Sequence, residues 1–123
     1  MKRRLFLQLP LAFSALMAEA QARPLSRPNQ GFKVPARKDR YQEELLIMGG
    51  RFDCKVSGKD TDGDLLIYDT LRHSKGGPAF HLHHHQDEWF YVIKGDFIVK
   101  VGEETYSLTA GDSAFAPRTV PHT

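Results

Sequence analysis

Two histidines separated by one residue, His81 and His83, are followed after four intervening residues by Glu88 and after six more by Gly95. Imidazoles at i and i+2 leave the same face of an extended strand. Gln86 and Asp87 can serve as a loop, so Glu88 can open the returning strand of a hairpin and bring its carboxylate beside the two rings. Nitrogen and oxygen donors mixed in this way suit a first-row divalent ion. Three protein ligands also leave coordination positions open for a substrate or for O₂. The residues on either side are apolar, Ala79-Phe80 before and Trp89-Phe90-Tyr91-Val92-Ile93 after. That context separates the run from an exposed histidine-rich tract.

The elements that must hold these side chains are short apolar runs between turn residues. Leu45–Met48, Phe52–Val56, Leu65–Leu71, Ala79–His83, Glu88–Ile93, Phe97–Val101, Thr105–Leu108 and Ser113–Ala116 each read as a strand. No stretch after residue 40 carries helical periodicity. Strands this short and regularly spaced predict an all-β barrel or sandwich. Lys59 to Asp64 is acidic enough to pass for a piece of a calcium loop. Leu71 stands where an EF-hand needs its bidentate glutamate, so an acidic turn is the better reading.

On the Glu88 strand, Glu88, Phe90 and Val92 share one parity while Trp89, Tyr91 and Ile93 share the other. With Glu88 inside, an aromatic face points outward and needs cover. The candidates for that cover are the preceding arm of the chain and a second copy in a homodimer.

The chain has 123 residues, enough for one small domain. Its first 22 residues predict an export signal: basic Lys2-Arg3-Arg4, apolar Leu5 to Ala18, and the small-residue site Ala20-Gln21-Ala22. The apolar stretch, broken by Pro10, is short for a stable membrane span; the alternatives are an uncleaved anchor and an amphipathic helix. Arg3-Arg4 with Phe6-Leu7 also resembles a twin-arginine signal, although Lys2 departs from the usual pattern and general secretion stays open. The product is expected to be periplasmic or secreted. Residues 23–40, with Pro24, Pro28 and Pro35, read as an arm or linker, and 41–123 as the folded domain. The formal charge is +2, from 17 basic and 15 acidic residues; setting aside Lys2, Arg3, Arg4 and Glu19 leaves 14 of each. That balance makes no electrostatic case for nucleic acid. Cys54 is the sole cysteine, so no internal disulfide holds the domain.

The spacing of His81, His83, Glu88 and Gly95 resembles the first motif of the cupin superfamily, with its leading glycine displaced to Gly76 and Gly77. Gly111, Pro117 and His122 resemble the second motif, with Thr119 at its other glycine position. The resemblance implies a conical β-barrel (a double-stranded β-helix, or jelly roll) with a metal in its wide interior. It also makes His122 the fourth ligand beside His81, His83 and Glu88. The ion would be Fe, Mn, Ni, Zn or a similar divalent metal. A rival pair, His83 and His85, leaves too few residues before Glu88 for the family spacing. His84 is then expected to point away, with His85 a solvated loop residue or else one that supports or gates the site, His73 without a role and Asp87 a turn residue. Phe90, Val92 and Phe115, taken as inward by parity, would line an apolar substrate cavity or pack as plain core. The family pattern continues past its second-motif histidine into closing strands, so the expectation here is a barrel without them.

Within the superfamily, Glu88-Trp-Phe-Tyr-Val-Ile-Lys-Gly and Ala116-Pro-Arg-Thr-Val-Pro-His look like the single-domain (type-2), quercetinase-like branch. That likeness implies a metal-dependent dioxygenase of a small organic substrate, with Glu88 acting also as a base. The alternatives are a cupin that binds a small ligand without turnover and a metal-dependent isomerase or lyase.

Overall fold

Among the described residues, seven strands form from short runs rich in apolar, β-branched and aromatic residues, and there is no α-helix. The computed structural model describes residues 27–123; the expected export signal and the first residues of the arm lie outside them. Strands β1 (Leu45–Ile47), β2 (Gly50–Val56) and β3 (Ile67–Arg72) form one antiparallel sheet in that order. Met48 and Gly49 make the two-residue turn between β1 and β2, both at positive φ (47° and 70°). Paired positive φ values match the right-handed twist of a hairpin. A side chain at Gly49 would also meet Ser74 Oγ at 2.9 Å, so glycine is the residue that fits.

The stretch expected as an acidic turn, Lys59 to Asp64, opens in a 3-10 turn, Gly58–Asp60, and continues as turn; Asp60 Oδ2 accepts the Ser57 N–H at 2.9 Å. The carboxylate there caps a backbone. The arm, described from Arg27, docks on β2 and this turn. Asp39 accepts the main-chain N–H groups of Tyr41 and Cys54, each at 2.7 Å, and the Arg40 N–H donates to the Cys54 carbonyl at 2.7 Å. Lys55 Nζ reaches the carbonyls of Pro35 and Lys38. The expectation that the arm covers the Trp89 face is therefore corrected for its described part.

The other strands make two antiparallel pairs. β4 (Glu88–Tyr91) pairs with β7 (Ser113–Ala116), and β5 (Phe97–Val101) with β6 (Glu104–Leu108). Between them lies the core: Val92, Val99, Val101, Leu108, Ala114 and Ala116, with Phe90 and Val120 packed against it. Each fully buried valine or leucine there contributes about 1.5–3 kcal/mol over an exposed one.

One expected element does not form. Residues 79–87 are not a hairpin arm beside Glu88; only His81 makes a β-bridge, and its partner is His122. The strand beside Glu88 is β7, a partner distant in sequence. The architecture is all-β, as expected, and consistent with a β-barrel or jelly roll, with the barrel left unclosed among the described residues.

Candidate metal centre

Four side chains from three places in the chain converge. The irregular 79–83 segment supplies His81 and His83, the first residue of β4 supplies Glu88, and the segment after β7 supplies His122. One ligand atom from each lies within 4.8 Å of the others. The ring centroids of the three histidines are 4.6 to 5.4 Å apart. Although the 79–83 segment is no regular strand, the i, i+2 spacing still sends both rings to one side.

The main chain fixes how two of the rings present themselves. His81 Nδ1 is 2.7 Å from the Ala79 carbonyl and His122 Nδ1 is 3.0 Å from the Val120 carbonyl. A carbonyl only accepts, so each Nδ1 carries the proton and each Nε2 turns its lone pair inward. His122 is 1% exposed, with its Nε2 2.9 Å from Glu88 Oε2. His83 Nε2 lies 3.0 Å from the same oxygen.

These contacts test the donor set for a cation. With its single proton spent on Val120, a neutral His122 turns an Nε2 lone pair toward a carboxylate lone pair. A second proton on the ring or a metal cation at that point resolves the conflict. Two ligand atoms about 2.1 Å from one ion and at right angles to each other lie about 3.0 Å apart, close to the spacing seen here. Three imidazoles and a carboxylate therefore fit a first-row divalent ion.

Local packing explains why this carboxylate reaches the site. Glu88 sits opposite Ala116 in the β4–β7 register, and Ala116 is fully buried. Phe90, on the same parity, puts its ring 6.2 Å from His122, edge to face. Val92 is 5% exposed and belongs to the core.

Phe115 is a correction. It pairs with Trp89, not with a residue of the Glu88 parity, and is 56% exposed. Its direction is set by register with β4, which its own strand cannot reveal. Trp89 and Tyr91 stack at 5.6 Å on the same outward face.

The remaining histidines stand apart from the centre. His84 and His85 are exposed, as is His73, whose main-chain N–H donates to the Gly49 carbonyl at 3.2 Å. Thr119, at the second motif's glycine position, has φ 66° and donates its N–H to the His83 carbonyl at 2.7 Å. Asp87, expected as a plain turn residue, pairs with Arg118 at 3.0 Å. Hydrogen bonds from the Arg118 side chain and N–H hold the Asp87 carboxyl below its usual range. Nothing in the local sequence points to that pair, because its members are 31 residues apart.

No curated protein and no solved structure matches this chain. Residues 68–123 match the family model described as the cupin domain. That match supports a cupin domain over the stretch that carries all four converging ligands.

Proposed function

We propose that this protein holds a divalent metal ion on His81, His83, Glu88 and His122 and acts there on a small organic molecule as a dioxygenase of the quercetinase-like kind. The observation that carries the reading is the convergence of four ligand atoms within 4.8 Å inside a cupin domain. When bound, such an ion supplies Lewis-acid and redox chemistry toward a substrate oxygen and O₂. The protein's own part is positioning and proton handling. Both histidine contacts to Glu88 use Oε2, which leaves Oε1 to take a proton from a substrate hydroxyl. Phe90 gives an apolar wall beside His122. Export, read from the basic and apolar pattern of residues 1–22, belongs to the same proposal, as does a second copy covering the Trp89 face.

A second reading, ligand capture without turnover, is favoured by one observation. The side chains of His83 and Glu88 are 31% and 34% exposed, so water reaches the site. The test is metal quantification on the purified protein, followed by O₂ uptake with flavonols for the Fe²⁺, Mn²⁺, Ni²⁺ and Zn²⁺ forms. O₂ consumption that is lost in Glu88→Gln supports the dioxygenase. Tight flavonol binding with no uptake in any metal form supports capture, through the metal or the cavity, and absence of bound metal overturns the dioxygenase.

A further inference from the structure

The Asp87 carboxylate gathers three donors from one residue across the chain. Arg118 Nη2 donates to Oδ2 at 3.0 Å, Nε donates to Oδ1 at 3.2 Å, and the Arg118 main-chain N–H donates to Oδ1 at 2.8 Å. The first two form a two-pronged pair, the arrangement in which arginine fixes orientation as well as charge. One residue further on, the Thr119 N–H donates to the His83 carbonyl at 2.7 Å. Four hydrogen bonds thus fasten the His83–Glu88 loop to the segment that leads from β7 to His122.

The sequence neighbours of these contacts are the ligands themselves. Asp87 immediately precedes Glu88, and the acceptor for Thr119 is the main chain of His83. We propose that Asp87 and Arg118 are positioning residues of the metal centre, holding the loop of the second and third ligands in register with the approach to the fourth. The inference rests on the metal-binding reading above. An ordinary surface ion pair is a poor alternative account. With side chains 55% and 39% exposed, the pair contributes little to overall stability as a charge contact. What it can do is remove freedom from a loop whose ends carry the ligands. Outer groups that orient ligands in this way typically change metal affinity about ten- to a hundred-fold.

The test is Co²⁺ titration of the full-length protein, read by visible absorbance, alongside the metal-free melting temperature of each variant. Arg118→Ala removes the fork but keeps the main-chain bond, and it should weaken Co²⁺ binding about ten-fold with little change in metal-free melting. Asp87→Ala loses all three donors and should weaken binding further. The double variant should be no worse than Asp87→Ala, and Arg118→Lys should recover part of the loss. Wild-type affinity in both single variants would overturn the proposal. So would strictly additive losses, or losses that track an equal fall in metal-free melting. If the wild-type protein takes up no Co²⁺, the metal reading itself fails and the proposal falls with it.

Discussion

His81 and His122 exchange both of their main-chain hydrogen bonds, N–H to carbonyl at 3.0 Å one way and 2.7 Å the other. The first and last of the four candidate ligands are therefore joined backbone to backbone, independently of their rings. Replacing either ring should remove metal binding while leaving that bridge in place. His81→Ala is expected to lower divalent-ion affinity more than about 100-fold, beyond the range for outer groups, with a small change in stability. His122→Ala should lose the ion and also destabilise the domain, because its ring is buried. Isothermal titration with Co²⁺ and thermal melting separate the two effects. Full metal occupancy in either variant would refute the ligand set.

Thr119 is a β-branched residue at φ 66°, a conformation that disfavours such side chains. Thr119→Gly should raise stability by about 0.5–1 kcal/mol, since relief of strain outweighs the extra freedom glycine has when unfolded. Its N–H bond to His83 survives the change, so metal affinity should stay the same. A lower denaturation midpoint in the variant would mean that the threonine side chain contributes packing.

Asp39 links the arm to β2, and its carboxyl lies below the usual carboxylate value of 3.8. The leading cause is the Tyr41 N–H, with the N–H groups of Cys54 and Glu43 and the charge of Lys55 acting in the same direction and burial opposing them. Because the folded-state value is depressed, the unfolded chain binds the proton more readily. The stabilisation is thus fully present above the ordinary carboxylate range and is lost as pH falls through the depressed value. Urea midpoints measured from neutral pH down to about pH 3 should fall more steeply at the acid end for the wild type than for Asp39→Asn. Equal slopes would show that Asp39 does not carry this linkage.

The stacked Trp89 and Tyr91, with Ile93 and Phe115, form an exposed apolar face. Cover by a second copy predicts that Trp89→Glu lowers self-association without changing Co²⁺ affinity. Sedimentation velocity over a range of concentrations reads the first property, and metal titration the second. A wild type that stays monomeric at every concentration would remove the dimer reading.

What the sequence made legible was local. The spacing of His81, His83 and Glu88 fixes which side chains can share a centre, and glycine-marked turns set the strand ends to within a few residues. What it hid was pairing at a distance. The strand beside Glu88 is β7 and not the preceding segment, so the expected hairpin was replaced by a bridge from His81 to His122. The inward reading of Phe115 failed for the same reason, since alternation within one strand fixes relative but not absolute direction. The Asp87–Arg118 contact is of this hidden kind as well.

The bridge between His81 and His122 also bears on the order of events in folding. The bridged residues are 41 apart, and β4 to β7 lie between them in the chain. Contacts so distant in sequence form only after the entropy of closing a long loop has been overcome, and they slow folding. A complete ligand set therefore requires this long closure to have been made. The rate at which a refolding sample captures Co²⁺ should follow that closure, making metal uptake a clock for a long-range step in building the domain.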